Sequence, residues 1–187
     1  MHASRLVTAV VATTLAASAL TACDSASNTA ASCPTGSPGT STAPDWTLEG
    51  GQGSIEVTGP TDSAAPVVRV KPPFSVQETQ VKAFPSDGEA EGEVVPENAT
   101  VSVCYLGVNG RTGGDPFDST YNRGKPTEFP LDGVIPGFKK AIAGQKVGSS
   151  VGVAIAPADG YPTGQPSAGI EPGDTLIFAI KILAVKK

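Results

Sequence analysis

Thr100-Val101-Ser102-Val103-Cys104-Tyr105-Leu106 puts Val101, Val103 and Tyr105 on one face of an extended chain, because successive side chains of a strand point to opposite sides. The same period of two recurs from Leu176 to Val185, where Leu176, Phe178, Ile180 and Ile182 share a face. Both stretches predict strands. Outward from them, shorter runs bounded by Gly, Pro or Asp predict strands around Ser54–Thr58, Val67–Val70, Glu78–Phe84, Thr127–Leu131 and Ser150–Ala156. One short helix is expected from Gly137 to Ala143, entered at Pro136, whose fixed φ suits a first helical turn, and stopped at Gly144. A single helix against antiparallel strands is an α+β fold dominated by β. The connection from Ala156 to Gly173 is long and rich in turn residues, and such loops are either disordered or functional. Tyr161 beside Pro162 favours the second reading.

With 187 residues the chain has room for one ordinary domain and extra segments. A formal charge of −5 and the lack of any Lys/Arg cluster exclude the positive field that a phosphate backbone needs, so nucleic acid is not an expected partner. The only histidine is His2. His2 lies in an amino-terminal segment expected to be removed, so nucleophile systems that need an imidazole base, and most catalytic zinc sites, are not expected. No Walker loop or dinucleotide-binding glycine fingerprint occurs, so neither metal nor cofactor is expected.

After Arg5, the uncharged run from Leu6 to Ala22 matches the apolar region of a secretory signal peptide, and Leu20-Thr21-Ala22-Cys23 resembles the lipobox of bacterial lipoproteins. That resemblance implies a diacylglyceryl group on Cys23, with cleavage before it. Its two acyl chains would give stable attachment to the extracytoplasmic face of the cytoplasmic membrane, where one gives only marginal binding. Residues 23–45 are mostly Ser, Thr, Ala, Gly and Pro, too poor in apolar side chains to offset the entropy of ordering, and are expected to be a flexible tether. Removing 1–22 takes away one arginine and no acid, leaving a charge of −6 that gives no electrostatic attraction to anionic lipid. Cys33 and Cys104 could pair in an oxidising compartment, but Cys33 lies in the tether, where nothing in the sequence fixes its geometry, so two free thiols are expected.

The order of several motifs resembles the FKBP family of peptidyl-prolyl cis/trans isomerases. Val103-Cys104-Tyr105 is similar to the family's strand ending in a pocket tyrosine, and Phe117-Asp118-Ser119 to its most characteristic tripeptide, followed by Arg123-Gly124-Lys125-Pro126. Val134-Ile135-Pro136-Gly137-Phe138, Gly144-Gln145-Lys146-Val147-Gly148, Tyr161 with Thr163-Gly164, and Asp174-Thr175-Leu176-Ile177-Phe178 complete the series over about half the chain. The resemblance implies an antiparallel half-barrel wrapped on one short helix. It also implies a pocket built from Tyr105, Phe117, Asp118, Phe129, Val134, Ile135, Phe138, Tyr161, Ile170 and Phe178. Six of the ten aromatic residues fall on that set, a concentration that suits an apolar pyrrolidine ring, although Phe129 taken alone could as well be core. The sequence departs from the family at Phe138, commonly tryptophan, at Thr127 and Gly169, often larger and apolar, and at the shortened loop carrying Pro162. A shallower pocket with an altered rim is expected.

On that resemblance residues 97–187 are the isomerase domain and 46–96 its first strands or lead-in, acting as a monomer on proline-containing polypeptides, with macrolide inhibitors as a second class of ligand. Phe138, Tyr105, Phe117 and Phe178 would hold the proline ring, while the Ile135 N–H and the Tyr161 hydroxyl donate to substrate carbonyls. Asp118 would act electrostatically on the twisting carbonyl; the alternative is a turn residue bonding nearby backbone N–H groups. Arg123 either orients Asp118 or is merely solvated. The rival functions are a proline-peptide binding module or holdase without efficient isomerisation and, more weakly, a structural envelope lipoprotein.

Overall fold

The computed structural model of the chain describes residues 32–38, 43–85, 90 and 92–186; the expected signal peptide 1–22 and Cys23 lie outside them. Strands β1 (Trp46–Glu49), β2 (Gln52–Thr58) and β3 (Val67–Ser75) make a small antiparallel sheet in that order. A larger sheet is built from β4 (Gln80–Ala83), β5 (Thr100–Asn109), β6 (Asp118–Ser119), β7 (Thr127–Pro130), β8 (Ser150–Ile155) and β9 (Leu176–Lys186). It runs β4-β8-β9-β5-β6, with β7 paired to the first half of β5 and β6 to the second half. The one α-helix, α1, covers Pro136–Ile142. Each strand expected from the sequence forms within a few residues of its expected limits; β1 and β6 are additional.

The alternation read in β5 and β9 has the anticipated consequence. Val101, Val103, Tyr105, Leu176, Phe178, Ile180 and Ile182 point to one side of the large sheet, where they meet Phe138, Ala141 and Ile142 of α1. Full burial of each large apolar side chain is worth about 1.5–3 kcal/mol. The register slips between Ser102 and Val103, so that one extra residue of β9, Leu183, turns away and Val185 rather than Ala184 faces the core. This bulge ends the even-numbered pattern at Ile182.

The other side of the large sheet is not left to solvent. Ala154, Ala156, Ile177 and Ala179 face the inward side chains of the small sheet, Trp46, Leu48, Ile55, Val57, Val68 and Val70, together with Phe74 and Phe84. The small residues on this side let the two layers approach. A Cβ on Gly152 would lie 2.9 Å from the Trp46 ring, so glycine is required there for the contact.

One expectation is overturned. Cys33 and Cys104 are not free thiols but form a disulfide with a Cα–Cα distance of 5.6 Å. The reason is that residues 32–38, inside the segment expected to be a flexible tether, are docked on the domain. The Cys33 N–H donates to the Gly124 carbonyl at 3.3 Å and the Ala65 N–H to the Gly36 carbonyl at 2.5 Å. Cys33, Ala65, Cys104 and Tyr121 bury one another in a small cluster behind β5. No helix among the described residues is long and apolar enough to cross a membrane.

Candidate active site

Between α1 and the large sheet lies a cavity of about 560 Å³ lined by Tyr105, Phe117, Asp118, Phe129, Gly133, Val134, Ile135, Pro136, Phe138, Tyr161 and Phe178. That volume is in the range of small-ligand sites. Its aromatic walls pack edge to face around Phe138, whose ring centroid is 5.3 Å from Phe178, 5.8 Å from Tyr105 and 6.0 Å from Phe129, at interplanar angles of 81°, 85° and 79°. Phe117 meets Phe178 in the same way at 5.6 Å. This geometry sets ring edges against ring faces, the favoured arrangement, and leaves an apolar floor. Gly107 of β5 makes room for it, since a Cβ there would come within 2.6 Å of Phe178 and 2.8 Å of Phe117.

One wall is polar. The Tyr105 hydroxyl donates to Asp118 Oδ2, and Arg123 Nη1 donates to Asp118 Oδ1 at 2.9 Å, forming an ion pair in which both side chains are about half exposed. Burial, reinforced by the hydrogen bond to Asp118 and by its charge, pushes the Tyr105 phenol up to about 12, so at neutral pH it is a donor. Partial burial acts to raise the Asp118 carboxyl, but the bonds from Tyr105 and Arg123 and the guanidinium charge outweigh it and hold the group below the usual carboxylate range. Asp118 is therefore an anion at the lip of an apolar cavity.

Ile135, with extended backbone, is the residue before α1 and lines the cavity; its N–H takes part in no backbone hydrogen bond among the described residues. Pro136 at the first helical position fixes this entry. Of the residues expected to build the pocket, only Ile170 is not on its wall. It is buried in the core behind the loop, where its backbone exchanges two hydrogen bonds with Gln165. Gly133 and Pro136 line the cavity without having been singled out, although both flank the Val134-Ile135 signal. Thr120 was also missed. Its hydroxyl, fully buried, accepts from the Tyr105 N–H at 2.8 Å and donates to the Tyr105 carbonyl at 3.2 Å, fixing Tyr105 beside Asp118. No cluster of three or more His, Cys, Asp or Glu able to hold a metal ion occurs among the described residues.

A family model described as the FKBP-type peptidyl-prolyl cis-trans isomerase matches residues 89–183, just over half of the chain. The chain belongs to this FKBP family. It is 40% identical over 102 residues to an FK506-binding protein of Streptomyces anulatus, covering 52% of this chain and 80% of that one. It is also 39% identical over 97 residues to the FKBP-type peptidyl-prolyl cis-trans isomerase FkpA of Escherichia coli K12. That match takes in 51% of this chain and only 34% of FkpA, so the shared part is about a third of the longer relative. Among solved structures, a peptidyl-prolyl cis-trans isomerase of Pseudomonas syringae superposes with a TM-score of 0.50 at 25% identity, covering 58% of this chain and 76% of the other. Every cavity residue lies inside the FKBP match, whereas β1 to β4 and the disulfide-bonded segment lie before it.

Proposed function

We propose that this FKBP domain catalyses cis/trans isomerisation of X–Pro bonds in exported polypeptides and is held at the extracytoplasmic face of the membrane by lipid on Cys23. The observation that carries the reading is the aromatic cavity with an ionised Asp118 on its wall and, in its lining, Ile135, whose N–H has no backbone partner among the described residues. Amide resonance sets a barrier of ~18–20 kcal/mol to rotation. In the planar amide the oxygen is electron-rich; on twisting, nitrogen withdraws its lone pair and the carbonyl carbon becomes more electropositive. An anion nearby is repelled less by the twisted form than by the planar one, and such a difference is what lowers a barrier. With the proline ring on Phe138, out of water, and the flanking carbonyls on the Ile135 N–H and the Tyr161 hydroxyl, each ~1.4 kcal/mol of selective stabilisation gives a tenfold rate. FK506, for which the Streptomyces relative is named, is expected to compete for the same cavity.

The Cys33–Cys104 disulfide supports export, because such bonds persist in oxidising compartments. It also shortens the tether. Between Cys23 and the docked Cys33 there are nine residues, a reach of roughly 35 Å when fully extended, so the domain would stay close to the bilayer.

The test is the cis-to-trans rate of an Ala-Leu-Pro-Phe-type peptide, in a protease-free assay, with the exported chain carrying Cys23→Ser. The expected result is acceleration that falls at least ~tenfold in Asp118→Ala while thermal stability is nearly unchanged. No acceleration by the folded chain would replace the isomerase with the binding-module reading. Loss of detergent-phase partition in Cys23→Ser, relative to the natural chain, is the expected sign of the lipid.

A further inference from the structure

The loop from Ala156 to Thr175 carries Tyr161 to the cavity, and it has little apolar anchoring of its own before Ile170. Its position is set at its two ends. At the entry, the Thr79 hydroxyl donates to Asp159 Oδ2 at 2.6 Å and accepts from the Ala156 N–H at 3.1 Å. Lys140 Nζ reaches the same carboxylate oxygen from α1 at 2.7 Å, but both ends of that ion pair are open to water, Lys140 more so. At the exit, the Val76 N–H donates to Thr175 Oγ1 at 3.1 Å, and Asp174 gathers Asn109 Nδ2, Arg111 Nε and the Glu171 N–H. Val76 and Thr79 are three residues apart in a stretch that precedes the FKBP match at residue 89. One short segment outside the matched domain thus grips both ends of the loop.

We propose that Thr79 is a positioning residue for the reaction: through Ala156 and Asp159 it holds the 3₁₀ turn Pro157–Asp159, and with it Tyr161 two residues on, at the height a substrate carbonyl requires. The inference rests on the isomerase reading of the cavity. Asp159 cannot supply this alone, because an exposed lysine contact is mobile and worth little. Thr79 is only partly exposed and joins a carboxylate to a backbone N–H that has no other partner among the described residues. Losing it leaves that N–H unmatched and frees the turn. A displacement near 1 Å in a donor is enough to impair catalysis.

The experiment compares the exported chain with Thr79→Val, which keeps the shape and removes both bonds, and with Thr79→Ser, which keeps the hydroxyl. Three readouts are taken well below the melting temperature: kcat and KM on the proline peptide, amide exchange at Ala156, Asp159, Gly160 and Gly164, and thermal stability. Thr79→Val is expected to lose roughly five- to tenfold in kcat/KM, mainly through KM, and to exchange faster at those amides, while Thr79→Ser restores both. A Thr79→Val chain that melts earlier but matches the natural kcat/KM within about twofold has lost stability only, and the inference falls. If the natural chain itself does not accelerate the peptide, the isomerase reading fails separately. Amide exchange then decides whether Thr79 holds the loop, and unchanged exchange in Thr79→Val overturns that too.

Discussion

Tyr121 holds a hydroxyl that is buried without a hydrogen-bond partner among the described residues, three positions from Asp118 of the cavity wall. Burial pushes its phenol above the ordinary range, so it stays protonated at any physiological pH and merely lacks an acceptor. An unmatched buried hydroxyl costs about 1–3 kcal/mol. Tyr121→Phe, which keeps the ring against Cys33, Cys104 and Ala65, is therefore expected to raise the urea midpoint of unfolding by an amount worth up to ~1 kcal/mol, with kcat/KM unchanged. A lowered midpoint would mean that an internal water satisfies the group. At this scale the sequence was legible where side chains are scarce and distinctive. The aromatic residues of a chain with only ten could be assigned to one pocket, and all six expected there line it. Threonine is common, and its role depends on what lies across the fold. Thr120 meets a partner 15 residues away and Thr79 partners 77 and 80 away, so neither could be singled out by spacing. Ile170 was misassigned for the opposite reason: similarity located the residue, but the bridge to Gln165 turns its side chain to the core.

Elements with a period were readable and elements without one were not. β5 and β9 declare themselves by alternation, whereas β6 is two residues long, too short for any pattern to accumulate, and β1, no shorter than β4 or β7, adjoins the stretch read as tether. The segment 32–38 shows the same limit more sharply. Its Ser, Pro, Thr and Gly residues give no apolar signal, yet a disulfide to β5, one backbone bond to Gly124 beside Arg123 and one from Ala65 hold it on the domain. Closing a loop across a separation of 71 residues removes unfolded-state entropy worth ~4 kcal/mol in the chain-entropy account. Replacing both cysteines by serine is expected to cost about 2–4 kcal/mol in urea unfolding, and a reducing agent should lower the stability of the natural chain to nearly the same extent. Turnover should suffer less than stability, because Tyr105 is still fixed by Thr120 and Asp118. Equal stability of the two chains would show that the bridge adds nothing beyond the packing of its neighbours.

Considered whole, the molecule is a domain whose large sheet is sandwiched: α1 and the cavity on one side, β1 to β3 on the other. The sequence marked 46–96 as structured but could not say where it went, because Ile55, Val57, Val68 and Val70 identify an apolar face without identifying its partner. The partner's own signature is compositional. Gly152, Ala154, Ala156 and Ala179 are small where their alternates on the cavity side, Val153, Ile155 and Phe178, are large, as close approach of a second layer demands. Removing that layer should expose Phe84 and Ile177 and leave the small residues without cover. A fragment of residues 76–187 retains every cavity residue and Thr79, and it also loses Cys33, so its proper reference is the full exported chain with both cysteines changed to serine. The fragment is expected to melt below that reference and to bind a hydrophobic dye such as ANS in its native baseline, since uncovered apolar surface of this kind invites association. Its cavity, formed on the opposite side, should still bind a proline peptide at low temperature. If the fragment melts with the reference and ignores the dye, β1 to β3 ride on the large sheet without stabilising it. Their role would then lie wholly in delivering Val76 and Thr79 to the loop.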